Sequence, residues 1–322
     1  MLVTVLLFAL GLILLIKGGD WFVDGATGIA HRFHVPELII GATVVSIGTT
    51  LPEVMVSATS AVGGHGEIAY GNAIGSVICN TALIAALTIA IRPSEVDRKT
   101  LGLPVAFFFV SAAFYAFVAY TTGRFSRFVG LVLLGVFVLY VAASVVNARR
   151  DMAKASKNPD TSAEKPSAAR DTVLLVFGAV LIAFGANLLV ENGTAIAKYL
   201  GVPESVIALT FVALGTSLPE LVTAITSLAK GHGLLSLGNI VGANLFNLVL
   251  VSGVSVALAP FDIPHSKMLF GRNASLVLDI PVMFAVMAIL TLPALAKGRL
   301  SRMQGIALLA IYALFCTVQF AF

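Results

Sequence analysis

The chain reads as an all-α polytopic membrane protein, with ten transmembrane helices in two inverted-topology five-helix repeats. Three observations predict this. Hydrophobic residues make up 58% of the 322 and charged residues 11%, with a mean hydropathy of +1.00, far outside the range of soluble domains. Apolar runs of about twenty residues, the length that crosses a bilayer, recur from end to end. The halves also share two motifs at one fixed offset. SIGTTLPE, from Ser46 to Glu53, returns as ALGTSLPE, from Ala213 to Glu220, and GNAIGSVICN, from Gly71 to Asn80, returns as GNIVGANLFN, from Gly238 to Asn247; both shifts are 167 positions. Residues 35–80 and 202–247 are identical at 20 of 46 positions without a gap.

Taken in order, the spans are predicted at about 2–30, 36–62, 68–91, 101–121 and 127–147, then 172–197, 203–229, 235–259, 274–293 and 303–321. The first begins MLVTVLLFAL, with no basic flank and no small-residue cleavage site, so it reads as a retained helix rather than a signal peptide. The first and sixth carry internal polar residues, Asp20 and Asp24 in one, Asn187 and Glu191 in the other. Residues 1–147 and 172–322 are the two repeats. Between them, 148–171 is charged and rich in Ser and Ala, and reads as a linker without a core of its own.

Lys and Arg fix the orientation. With the N-terminus outside, loops on the inner side hold 14 of them and outer loops 5. Both termini are therefore expected outside and the linker in the cytoplasm. Five spans per repeat is an odd number, so the second copy enters the membrane from the opposite side. In such architectures substrates bind near the midplane, where the repeats meet. The net charge of +4 arises from these loops, which excludes a nucleic-acid surface in favour of the lipid bilayer as partner.

The repeated motifs place Glu53 and Glu220 inside membrane spans. An ionisable side chain there costs about 2.5–3.5 kcal/mol on insertion scales and marks a functional site. Two at equivalent positions point to cation transport. Pro52 and Pro219 lack the N–H that would pair the Gly48 and Gly215 carbonyls, so a kink beside each Glu is expected. Thr49 and Glu53 share a helical face, as do Thr216 and Glu220. Hydroxyl, carboxylate and carbonyl are the hard oxygen donors of which calcium takes six to eight. Gly71 and Gly75, like Gly238 and Gly242, form GxxxG faces for close helix approach. Ser76, Asn80 and Asn247 offer further neutral oxygens or interhelical hydrogen bonds. Asn72 and Asn239 divide evenly between ligand and helix-end roles. His65 and His232, in repeated GHG tripeptides, read as helix-end turns, with a pH sensor as the alternative. Glu37 and Glu204 begin helices, where a carboxylate complements the macrodipole.

Enzyme signatures are missing: the sequence has no phosphate loop, no HExxH and no Cys/His cluster, and it calls for no cofactor. An intramembrane protease is the alternative from another class, since two buried carboxylates can activate water. Cys79 and Cys316 read as small core residues rather than a disulfide.

The GTTLPE/GTSLPE and GNxxG motifs resemble the repeats of the sodium/calcium exchanger family, within the calcium/cation antiporter superfamily, in its compact prokaryotic form. The resemblance covers essentially the whole chain and implies a place in a prokaryotic plasma (inner) membrane. It implies calcium/sodium antiport by alternating access, with calcium and sodium as transported ions. It also implies an ion-binding set of Thr49, Thr50, Glu53, Ser76 and Asn80 from one repeat, and Thr216, Ser217, Glu220 and Asn247 from the other, with carbonyl ligands at Ser46 and Ala213. Two departures matter. Ala243 stands where the first copy has Ser76, which removes a hydroxyl. Asn247 replaces an Asp that accompanies potassium dependence in related exchangers, and Gly75 and Gly242 stand where proton-coupled members carry an acid. Potassium-dependent and proton-coupled exchange are therefore the alternatives.

Overall fold

The computed structural model describes residues 1–155, 168–200, 215–265, 268–269 and 271–321. Among the described residues, nine helices are long and apolar enough to cross a membrane. Helix α1 is Leu2–Arg32, α2 is Glu37–Val62, α3 is Gly66–Ile91 and α4 is Arg98–Thr121. Helix α5 is Arg127–Ala155, α6 is Ala168–Tyr199, α7 is Leu218–Ala229 and α8 is Gly233–Leu258. Helices α9, Ser275–Lys297, and α10, Arg302–Ala321, complete the chain. The short α7 is the described part of the span predicted at 203–229. Two minimal strand pairs, Arg124–Phe125 with Phe261–Asp262 and Met268–Leu269 with Arg272–Asn273, tie loops together.

Burial ranks the helices. In α3 and α8, 72% and 83% of the most apolar window is buried, so they form the centre; α1 at 22% and α10 at 11% face outward. The main core joins α3, α4, α8 and α9 through side chains such as Ile78, Phe108, Phe246 and Met287. A second core gathers Phe22, Val23 and Ile182, where α1 and α6 pack together.

Glycine sets that pairing. On α1, Gly11, Gly18 and Gly25 are seven apart; on α6, Gly178 and Gly185 repeat the interval. A methyl group on Gly18 would lie 3.0 Å from the Gly178 carbonyl oxygen, and one on Gly11 2.9 Å from that of Gly185. Only bare backbones approach so closely. Gly238 and Gly242 work the same way, pressing α8 onto Leu38 and Ala42 of α2, as the GxxxG reading anticipates. The partners that 167-residue symmetry assigns to Gly71 and Gly75 lie outside the described residues.

Three expectations are refined. Helix α2 runs through Pro52 and stays helical from Ser46 to Val62. The helix loosens a turn earlier, in a wide π-type turn at Gly41–Val45. In the second copy a turn at Thr216–Ser217 stands beside Glu220, as the proline reading anticipates, and Pro219 falls in the first turn of α7, where its missing N–H costs nothing. The connection expected over 148–171 is helical to Ala155 and again from Ala168, because its flanks are rich in good helix formers. Glu37 does more than complement the dipole of α2. Its Oε1 lies 2.8 Å from His232 Nδ1, so it also fixes the turn before α8. His65 and His232 stand directly before α3 and α8, each preceded by a glycine at positive φ, 85° at Gly64 and 87° at Gly231. The GHG tripeptides are thus turn chemistry.

On the side of Glu37 and His232, Lys230 Nζ meets Asp24 Oδ1 at 2.7 Å and Asp20 Oδ1 at 3.6 Å, and Arg32 Nε lies 3.5 Å from Asp171 Oδ2. These pairs satisfy the internal acids of α1 and hold α1 to α6 and to the end of α7.

Candidate functional site

Ser46, Thr49, Thr50 and Glu53 follow the 3-4-7 spacing of one helical face, and all four are at most 2% exposed. In the second half, Ser217 and Glu220 are likewise buried at the start of α7, and Thr216 is half-buried. Ser76 and Asn80 on α3 and Asn247 on α8 are buried as well. Asn80 and Asn247 each open a wide π-type turn, Asn80–Ala85 and Asn247–Val251. Such turns, frequent at functional sites, change the ladder of backbone hydrogen bonds and rotate the residues beside them. The turns cross over: the one at Asn247 packs on the Glu53 helix and the one at Asn80 on the Glu220 helix.

Two asparagines stitch the halves together. The Thr49 hydroxyl donates to Asn239 Oδ1 at 3.1 Å, and the Thr216 hydroxyl donates to Asn72 Oδ1 at 3.2 Å. Each bond is the image of the other under the 167-residue shift. Asn72 also donates to the Glu53 carbonyl at 3.2 Å and to the Ser57 hydroxyl at 2.8 Å. The Ser46 hydroxyl donates to the Gly41 and Asn239 carbonyls. The sequence left Asn72 and Asn239 undecided; their repeated GN context was the available signal.

Inside this frame, polar atoms are left over. Thr50 Oγ1, both carboxylate oxygens of Glu53 and both side-chain polar atoms of Asn80 are buried without hydrogen-bond partners. So are their images, Ser217 Oγ, both oxygens of Glu220 and both polar atoms of Asn247. The two carboxylates lie near enough to repel each other, and the Thr49 hydroxyl lies beside Glu220 while donating its hydrogen to Asn239. Among the described residues, no salt bridge reaches either Glu. Nor do three His, Cys, Asp or Glu side chains cluster anywhere in them. Burying one carboxylate without a partner costs several kcal/mol, and two neighbours cost more. The arrangement suits a divalent cation, or smaller cations sharing the site, held by oxygens. Ala213 lies outside the described residues.

Comparison with known proteins decides the family. The model of the sodium/calcium exchanger protein family matches residues 3–146 and again 171–321, one match in each half. The chain belongs to the sodium/calcium exchanger family.

Relatives of this exchanger-family chain span its full length. An uncharacterized membrane protein of Methanocaldococcus jannaschii is 35% identical over 311 residues, covering 95% of this chain and 94% of its own. The sodium/calcium exchanger MaX1 of Methanosarcina acetivorans is 29% identical over 353 residues, 99% of each chain. Among solved structures, the sodium-calcium exchanger NCX_Mj, soaked with Na+ and Sr2+, superposes with a TM-score of 0.83 at 32% identity, covering 98% of both chains. The family is one of membrane cation antiporters and not of enzymes, so the protease alternative falls.

Proposed function

We propose that this exchanger moves calcium out of the cytoplasm in exchange for external sodium, by alternating access, in a ten-helix inverted-repeat fold with both termini outside. One observation carries the reading: Thr50/Ser217, Glu53/Glu220 and Asn80/Asn247 are repeat-equivalent pairs with buried, unpartnered polar atoms. Two carboxylates match one Ca2+ in charge, so the loaded site is close to neutral. Sodium ions share the same oxygens, together with Thr49, Thr216, Ser76 and the Ser46 and Ala213 carbonyls. More than two sodium ions per calcium make the exchange electrogenic.

Alternating access is assigned to α1 and α6 moving as one body. Their glycine-packed mutual contact, with 22% and 28% of their most apolar windows buried, supports this. Asn247, with no acid at its position, favours potassium independence, and Gly75 and Gly242 speak against proton coupling.

The test is radiolabelled calcium uptake into proteoliposomes with sodium, potassium or proton gradients imposed singly. Uptake driven by internal sodium alone is the expected result. Uptake that needs potassium, or that follows the proton gradient, overturns the ion assignment.

A further inference from the structure

Away from the ion site, a groove of about 380 Å3 opens at the end of the bundle where α2 and α4 begin and α5 leaves the span. Its rim carries two exposed cations, Lys99 and Arg150, and one exposed carboxylate, Asp97. Its inner wall carries Tyr140 and Ser144, at most 4% exposed. The floor is fixed, because the Tyr140 hydroxyl donates to the Ala42 carbonyl at 2.8 Å, within the wide turn of α2. Leu38, Ile39 and Leu103 add apolar surface beside these polar groups.

Asp97 is held in place as the cap of α4. Its Oδ1 accepts from the Lys99 N–H at 3.1 Å and its Oδ2 from the Thr100 hydroxyl. With about four lone-pair sites, the carboxylate keeps room for another donor. The Thr100 hydroxyl, the larger influence, holds the carboxyl below its usual range against a small effect of burial, so Asp97 is ionised at neutral pH.

Four features restrict what fits. The groove lies where three spanning helices begin or end, which is where such helices meet the lipid head groups. Its two cations suit a phosphodiester, and basic pockets between helices at this depth take lipid head groups. Its carboxylate opposes a purely anionic guest and matches a cationic group on the same molecule. The apolar wall gives a glycerol backbone and the start of an acyl chain a place that free phosphate would leave uncovered.

We propose that this groove binds the head group of a membrane phospholipid whose phosphodiester carries a primary amine. Lys99 and Arg150 hold the phosphodiester, Asp97 holds the ammonium, and Leu38, Ile39 and Leu103 cover the first carbons of the lipid. The assignment does not depend on which ions the protein exchanges.

The test is native mass spectrometry of delipidated protein offered phosphatidylethanolamine, phosphatidylglycerol or phosphatidylcholine, with soluble O-phosphoethanolamine and inorganic phosphate as separate arms. No ion gradient is involved, so a failure of sodium/calcium exchange leaves this readout untouched. Phosphatidylethanolamine is expected to be retained at least about fivefold better than the other two lipids. Asp97→Asn, which keeps a cap-competent side chain, should abolish the preference for phosphatidylethanolamine over phosphatidylglycerol while leaving phosphatidylglycerol bound. Lys99→Gln with Arg150→Gln should weaken both. Equal retention of the three lipids by the unmodified protein, which needs no variant to fold, overturns the proposal. So does a preference that survives Asp97→Asn, or binding of inorganic phosphate as strong as that of the lipid.

Discussion

Thr49 of the first half gives its hydroxyl hydrogen to Asn239 of the second, and residues 167 positions away, Thr216 and Asn72, form the same bond in the other direction. The two halves are thus clasped by one interaction used twice, directly beside the paired carboxylates. The clasp is uneven, however. Asn72 uses its amide nitrogen on the Glu53 carbonyl and Ser57, whereas Asn239 Nδ2 is buried without a partner.

That asymmetry predicts unequal costs. Asn72→Ala removes three contacts and should destabilise the protein by about 2–3 kcal/mol, against about 1 kcal/mol for Asn239→Ala, taking roughly 1 kcal/mol per buried hydrogen bond. Thermal melts of the purified variants measure this. Equal shifts would mean that the two additional Asn72 contacts, to the Glu53 carbonyl and Ser57, contribute nothing.

The α1–α6 contact makes a second prediction. A methyl group on Gly178 would lie 2.5 Å from the Phe22 backbone nitrogen, so Gly178→Ala should push α1 and α6 apart and impair both stability and exchange. Gly135 on α5 is exposed with nothing within 4 Å of an added methyl, so Gly135→Ala should be neutral or stabilising by up to about 1 kcal/mol. Melting temperature and exchange rate, measured together, separate the two.

These contacts also show what the sequence made legible. The 167-residue repeat, the membrane spans and the membrane-antiporter family were all readable, because a duplicated buried Glu is costly and has few uses. The seven-residue glycine interval lies in the sequence too, but either half alone offers no partner helix to give it meaning. The wide turns at Gly41, Asn80 and Asn247 had no local signature, since tertiary packing selects them. The two prolines show context acting on one local rule: Pro52 is carried inside α2, whereas Pro219 falls in the first turn of α7.

Ala243 gives a third prediction. It is fully buried on α8, one residue before Asn244, whose amide donates to the Thr81 hydroxyl at 2.7 Å. Ala243→Ser restores the hydroxyl that Ser76 supplies in the first copy. Sodium half-saturation should fall with little change in calcium affinity, as read from exchange kinetics at varied sodium. Unchanged sodium dependence would place Ala243 away from the ions.

The start of α4 supplies a fourth. Asp97→Ala removes its cap and should cost about 1 kcal/mol, whereas Asp97→Asn should cost little. Because the Thr100 hydroxyl lowers the folded-state pKa of Asp97, its contribution is full above the ordinary carboxylate range and fades as pH falls through that lowered value. The acid side of a melting-temperature profile should therefore be flatter in Asp97→Asn than in the unmodified protein. Superimposable profiles would deny Asp97 this role.

The central claim concerns Glu53 and Glu220, and sodium-driven calcium counterflow in proteoliposomes tests it most directly. Glu53→Gln and Glu220→Gln each remove one charge while keeping volume and a carbonyl oxygen. A neutral amide is also cheaper to bury, so both variants should fold and insert. Each should abolish calcium counterflow, while Glu67→Gln, in the exposed first turn of α3, should leave it intact. Near-normal counterflow in either Glu53→Gln or Glu220→Gln would contradict the account.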